Sequence, residues 1–205
     1  MSNFLAFDTA SKHLTVIAQK GEKTVLRFVP DCAMRHSVIL MDEIDKALSE
    51  AGLTPAECDF FAVVTGPGSF TGIRIGIAAA KGFALAADKP LKGVTAFDLI
   101  AYNVNSGEPF LTAVDAAHDH YYVCGYEKGE VTLLPRYLSR GEVEELGLPV
   151  YGFEELPFTP YNKLEIKNCL LKAACLAPET EGVHALYVRK SQAEEALRAD
   201  KRVEL

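Results

Sequence analysis

The chain has 205 residues, a formal net charge of −7 and a pI near 5.3, and 49% of it is hydrophobic. That length is enough for one or two compact cores. The acidic balance excludes a large footprint on a phosphate backbone, which needs clustered Lys and Arg. The five cysteines, Cys32, Cys58, Cys124, Cys169 and Cys175, include no CxxC pair and read as small apolar residues of a reducing compartment. The first residues carry no basic n-region and no long apolar stretch, so no signal peptide is expected and the protein reads as cytoplasmic. Ile73 to Ala87 is the longest weakly polar stretch, and with Arg74 and Lys81 it reads as too short and too charged to span a bilayer.

In chain order, Phe4 to Thr9 is a short apolar run that suits a buried strand. His13 to Gln19 and Thr24 to Val29 continue as strands around Gly21, and Pro30-Asp31 ends the meander. From His36 to Ala51 the apolar residues Leu40, Met41, Ile44, Ala47, Leu48 and Ala51 recur at helical spacing, with Gly52 at the C-cap position. Cys58 to Val64 predicts another buried strand. A glycine-rich loop follows over 66–71, then a helix over 72–87, a strand over 90–94 and a helix over 96–102. The first half is therefore an α/β pattern.

The second half opens on an echo of the first. Phe4-Leu5-Ala6-Phe7-Asp8 recurs as Leu111-Thr112-Ala113-Val114-Asp115, and each copy is followed by a polar patch, a strand (14–18; 121–126) and a glycine, Gly21 or Gly129. An internal repeat near half the chain length predicts two similar lobes, each with an Asp at a tight bend. Beyond it, 141–146 reads as a short helix, 150–153 as a strand, 157–160 as a loop and 163–177 as a helix. The charged tail over 191–205 reads as helical or frayed.

The strongest local signal is Thr65-Gly66-Pro67-Gly68-Ser69-Phe70-Thr71-Gly72-Ile73-Arg74-Ile75-Gly76, between a strand and a helix. It is neither a P-loop nor GxGxxG, so phosphate binding by those routes is unsupported. The simpler reading is a tight turn at Gly66 and Gly68 with Ser69 or Thr71 as helix cap. In the helix, Gly72, Gly76 and Ala80 leave one face nearly bare. That stripe serves either packing within the chain or a face kept for a partner. Asp8 and Asp115 are a carboxylate pair that could hold Mg²⁺ through water in a two-lobed ATPase, or simply cap their own bends. The second half has no glycine-rich adenosine loop, so nucleotide binding is expected to be weak or absent. His118 and His120 lack a third ligand, and no metal site is expected.

The runs Phe7-Asp8-Thr9-Ala10-Ser11, Arg35-His36-Ser37 and Gly66 to Gly76, with the late Leu186-Tyr187-Val188-Arg189-Lys190, resemble the TsaB family. TsaB proteins are similar to a shortened, inactive TsaD, the catalytic subunit that transfers a threonylcarbamoyl group to adenosine 37 of tRNAs. The resemblance implies an actin/Hsp70/sugar-kinase-like (ASKHA) α/β fold, with lobes over 1–104 and 105–205, each a mixed sheet with flanking helices. It implies a non-catalytic subunit without cofactor that pairs with TsaD, is joined by the ATPase TsaE and meets tRNA only indirectly. No membrane partner is implied. Where TsaD has two metal-binding histidines after its Pro-Leu-x-Gly-Val strand, this chain has Ala96 and Ile100. The implied interface is His36, Leu40, Ile44, Gly72, Ile73, Gly76 and Ala80, and an exposed stripe there predicts a homodimer when the partner is missing. Asp8, Thr9, Gly66, Gly68, Ser69 and Asp115 would line a vestigial nucleotide cleft. The alternative is a small phosphotransferase or ATPase using Asp8 and Asp115. Ala117 and His120 depart from many relatives, which carry an Arg and an acidic residue there.

Overall fold

The computed structural model describes residues 2–179 and 182–189. Two five-stranded mixed sheets form the two lobes. The first lobe builds an antiparallel meander from β1 (Phe4–Asp8), β2 (Leu14–Lys20) and β3 (Lys23–Val29). It then adds β4 (Phe60–Val64) parallel to β1, and β5 (Leu91–Val94) parallel to β4. Every residue of β1 and β4 is buried, so both faces of the sheet are covered. Helices α1 (His36–Ala51) and α2 (Phe70–Ala87) lie on one of them. The expected bounds of α1 are met, and Gly52 ends it in the left-handed conformation at φ 68°.

The second lobe repeats this plan. Strands β6 (Phe110–Asp115), β7 (His120–Glu127) and β8 (Glu130–Ser139) form its meander. Then β9 (Val150–Gly152) pairs parallel to β6, and β10 (Tyr161–Lys163) parallel to β9. The strand orders β3-β2-β1-β4-β5 and β8-β7-β6-β9-β10 are the same arrangement, so the repeat seen in the sequence is a repeat of topology. Sequence reasoning passed over β8, whose interior Pro135 argues against a central strand. The strand lies at the sheet edge, where Pro is tolerated, and its register on β7 shifts between Val123 and Gly125. Helices α3 (Ala96–Ala101) and α4 (Arg140–Glu145) match their expected positions, each opened by a Thr or Ser capping box.

Two expectations are corrected. The helix expected over 163–177 is shorter: Tyr161–Lys163 is spent on β10, and after a 3-10 turn at Ile166–Asn168 helix α5 runs only from Leu170 to Leu176. Nor does all of 105–205 keep to the second lobe. Leu170, Ala173, Ala174, Ala177 and Val183 are buried in the core of the first lobe, so the segment over 170–183 returns to complete it. The sheet's second face demands this, since fully buried strands need apolar cover on both sides. The chain then runs along the lobe junction, where Leu186 donates its N–H to Thr65 O at 2.8 Å. Arg189 donates Nη1 to the Tyr137 hydroxyl on β8 at 3.0 Å. A separate apolar cluster of Phe97, Phe110, Cys124 and Tyr126 joins α3 to the second sheet, and Tyr126 donates its hydroxyl to Asp98 Oδ1 at 2.9 Å. The tail expected over 191–205 lies outside the described residues.

Candidate functional site

A cavity of about 680 Å³ lies between the lobes, lined by Asp8, Gly68, Ser69 and Asp115 among others. The strand ends β1 and β6 thus bring the two repeat aspartates to one cleft. Each carboxylate is already engaged by its own bend. Asp8 Oδ1 accepts the Ala10 N–H at 2.7 Å, and Asp115 Oδ1 accepts the Ala117 N–H at 2.9 Å. These are the backbone donors that a phosphate would need at such a turn. The aspartates therefore act as internal anions for their loops. Asp8 is buried, and burial pushes its carboxyl up to about 6, against the lowering effect of the Ala10 and Ser11 N–H groups. Asp115 is exposed.

The glycine loop packs on the first bend. Ser69 donates its N–H to Ala10 O at 2.7 Å, and its side chain caps α2 by accepting the Gly72 N–H at 3.2 Å. A Cβ on Gly68 would stand 2.3 Å from Ala10 O, so only glycine fits. Thr9 and Gly66 do not line the cavity. Thr9 turns into the helix, donating Oγ1 to Gly72 O at 2.7 Å, and Gly66 O receives the Ala96 N–H at 2.7 Å. Of the six residues expected in the cleft, four line it and two brace it from behind. Ala96 and Ile100 are buried on α3. At the second bend Ala117, His118 and Asp119 are all left-handed, with φ of 63°, 54° and 56°. His120 stacks on Tyr137 with ring centroids 4.7 Å apart. Among the described residues, no group of three His, Cys, Asp or Glu is placed to hold a metal ion.

The seven residues expected at a partner interface all point inward. His36, Leu40, Ile44, Ile73 and Ala80 are at most 2% exposed, and Gly72 and Gly76 are also buried. The bare stripe on α2 serves its own sheet: a Cβ on Gly72 would stand 2.0 Å from Thr9 O, and one on Gly76 2.4 Å from Thr9 Oγ1. Close approach of helix to strand consumes the small residues, which is the packing alternative of the two that the sequence left open. The opposite surfaces carry the unusual feature. On and before α1, Met34, Val38 and Met41 are 93%, 71% and 53% exposed. On α2, Ala78, Gly82, Leu85 and Ala86 are exposed, Leu85 by 86%. Helix α2 starts two residues earlier than expected, and over its 18 residues the mean hydropathy of 1.3 is high enough to cross a membrane by length and composition. Only 28% of it is buried. Its inner stripe is committed to the sheet, while Arg74 and Lys81 are exposed among its outward residues. Sequence patterning placed an apolar face on these helices but could not show that α2 is apolar on two faces.

Two topologically matched lobes around a cleft define a protein of the two-lobed actin/Hsp70/sugar-kinase class. Two structures from Pseudomonas aeruginosa superpose on nearly the whole chain. One, described as similar to the peptidase YeaZ, is 25% identical with a TM-score of 0.74, covering 92% of this chain and all of its own. The other, YeaZ itself, is 24% identical with a TM-score of 0.72. Residues 17–150 match the family model described as TsaD, tRNA N6-adenosine threonylcarbamoyltransferase. Among curated proteins, the tRNA threonylcarbamoyladenosine biosynthesis protein TsaB of Haemophilus influenzae is 34% identical over 123 residues, 58% of this chain and 51% of its own. That of Escherichia coli is 33% identical over 129 residues, 62% and 55% of the two chains. An uncharacterized Mycobacterium tuberculosis protein is 33% identical over 147 residues, 70% of this chain and 68% of its own. The chain belongs to the TsaB family, within the broader group that the TsaD model describes. It spans about half the length of the first curated relatives it matches.

Proposed function

We propose that this chain is a non-catalytic subunit in tRNA threonylcarbamoyladenosine biosynthesis, which docks on a TsaD-type catalytic subunit in an assembly that a TsaE-type ATPase joins. The observation that carries the reading is the outward side of α2, where Ala78, Gly82, Leu85 and Ala86 are exposed, Leu85 by 86%, with Val38 and Met41 exposed on α1. Leaving that much apolar surface in water is unfavourable, and such patches mark interaction sites. The docking surface is the outward side of α1 and α2, with Val38, Met41, Ala78, Gly82 and Leu85. This side replaces the inward set expected from sequence. The cleft supports the same reading, because Asp8 and Asp115 each hold a backbone N–H of their own bend, that of Ala10 and that of Ala117, which a phosphate would otherwise take. The acidic chain meets tRNA through its partner.

The experiment is co-purification with the TsaD-type subunit of the same cell, with the modified nucleoside measured in tRNA. Leu85→Asp and Gly82→Arg are expected to abolish the complex and lower modification while melting at or above the wild-type temperature. Retention of the complex by both variants would sink the docking face. Micromolar binding of ATP with Mg²⁺ in calorimetry, lost in Asp8→Ala, would revive the ATPase alternative. Binding of the protein to lipid vesicles, lost in Leu85→Asp, would reassign the apolar face to a membrane surface.

A further inference from the structure

At the amino end of α2 three side chains from distant parts of the sequence meet on the surface. The Arg74 guanidinium carbon lies 3.8 Å from the centroid of the Phe70 ring. Tyr187, arriving from the chain's last described segment, stacks on Phe70 with centroids 4.7 Å apart. Its hydroxyl receives the Arg74 Nε–H at 3.0 Å. Tyr187 is held there because Leu186 is hydrogen-bonded to Thr65 and Arg189 to Tyr137, so both lobes fix the segment that carries it. All three side chains are exposed. Among the described residues Arg74 has no acidic partner, although the chain carries a net charge of −7.

An arginine is costly to immobilise because its side chain is rotamer-rich. Here one face of the guanidinium is stacked and Nε is hydrogen-bonded, which leaves the two terminal nitrogens oriented with no acceptor among the described residues. That is the geometry of a fork prepared for a bidentate anion. Helical spacing supplies its context. Arg74, Ala78, Gly82 and Leu85 follow one another at four, four and three residues, so Arg74 heads the outward apolar stripe of the docking surface. Arg and Tyr are enriched among residues that dominate interface energies.

We propose that Phe70, Arg74 and Tyr187 form a pre-built anchor for a carboxylate side chain of the docked protein subunit. This rests on the docking face argued above and specifies what meets its amino end. An acidic chain repels a partner's carboxylates in general, so a single oriented cation also sets the register in which the two surfaces meet.

The test measures affinity for the purified TsaD-type subunit by calorimetry at low and high salt. Arg74→Gln is expected to weaken binding by roughly 30-fold or more and to reduce its salt dependence. Arg74→Lys, which keeps the charge and loses the fork, should recover only part of that. Tyr187→Phe, which removes only the hydroxyl that orients Nε, should give a smaller loss of roughly 3- to 10-fold. Unchanged melting temperatures would assign these losses to the interface. Leu85→Asp separates the two readings. If it abolishes binding while Arg74→Gln binds as wild type at both salts, the anchor is wrong and the docking face stands. If Leu85→Asp binds normally, the docking face itself fails. Equal binding by Arg74→Lys and wild type would reduce the cluster to a surface charge and overturn the fork.

Discussion

Replacing Gly76 with Ala adds one methyl group to a helix that would ordinarily welcome it. Alanine is favoured over glycine in a helix interior by about 1 kcal/mol. At this position the added Cβ would lie 2.4 Å from Thr9 Oγ1 and 3.2 Å from Val63 Cγ2, and real Cβ contacts essentially never fall below 3.0 Å. Thr9 cannot step aside, since its β-branched side chain is stiff and its hydroxyl is bonded to Gly72 O. Relief requires α2 to lift from β1, with an overpacking cost of about 1–3 kcal/mol and the hydrogen bond at risk for about 1 kcal/mol more. The net loss after the propensity gain is about 2 kcal/mol, a fall in melting temperature of roughly 4–8 °C for a chain of this size. Gly82→Ala on the same helix meets nothing within 4 Å. It should gain the propensity alone and melt roughly 2–4 °C higher. Thermal unfolding by circular dichroism of both variants decides the matter. A Gly76→Ala protein that melts at or above wild type would refute the assignment of the small-residue stripe to the chain's own core.

Asp8 gives a pH prediction of unusual sign. Burial raises its folded pKa from the ordinary 3.8 to about 6, so its contribution to stability is fully present below the unfolded value and is lost as pH rises through about 6. Ionised, it costs about 3 kcal/mol relative to an unshifted carboxyl. Asp8→Asn keeps an acceptor for the Ala10 N–H without the charge. Urea titrations should find it matched with wild type near pH 4 and more stable by up to about 3 kcal/mol at pH 7; a difference that does not grow with pH would contradict the burial argument. Tyr126→Phe removes the hydroxyl bonded to Asp98 across the lobe junction and should cost about 1–2 kcal/mol. Faster amide exchange should follow in α3 and β7, and an effect confined to β7 would show that the contact does not couple the lobes.

The short apolar runs and the period-3.6 pattern of the first half were sufficient for its elements. Strands β1 to β5 and helices α1 to α3 fall within two residues of expectation, because most of them bury an apolar run and Gly, Pro or a capping residue bounds them. The repeat of Phe4–Asp8 at Leu111–Asp115 foretold two lobes of one topology, since an Asp closing a strand into a tight bend is a local signal. Strand β8 was obscured by Pro135, whose tolerance depends on an edge position that is not a property of the segment. The reach of α5 and Val183 back into the first lobe was equally invisible, because cover for a sheet's second face can come from any distance along the chain.

Helices α1 and α2 show the same division. Sequence by itself determined that α1 has an apolar face at helical spacing, and that Gly72, Gly76 and Ala80 form a stripe on α2. Only the tertiary structure decided which way the stripe points. Thr9 lies against it, so the small residues are filled by the chain's own strand, and the apolar surface left exposed is the opposite one, headed by Arg74. The physical reason is that periodicity reports which residues share a face of a helix, while the sheet that approaches most closely decides which face is the inside.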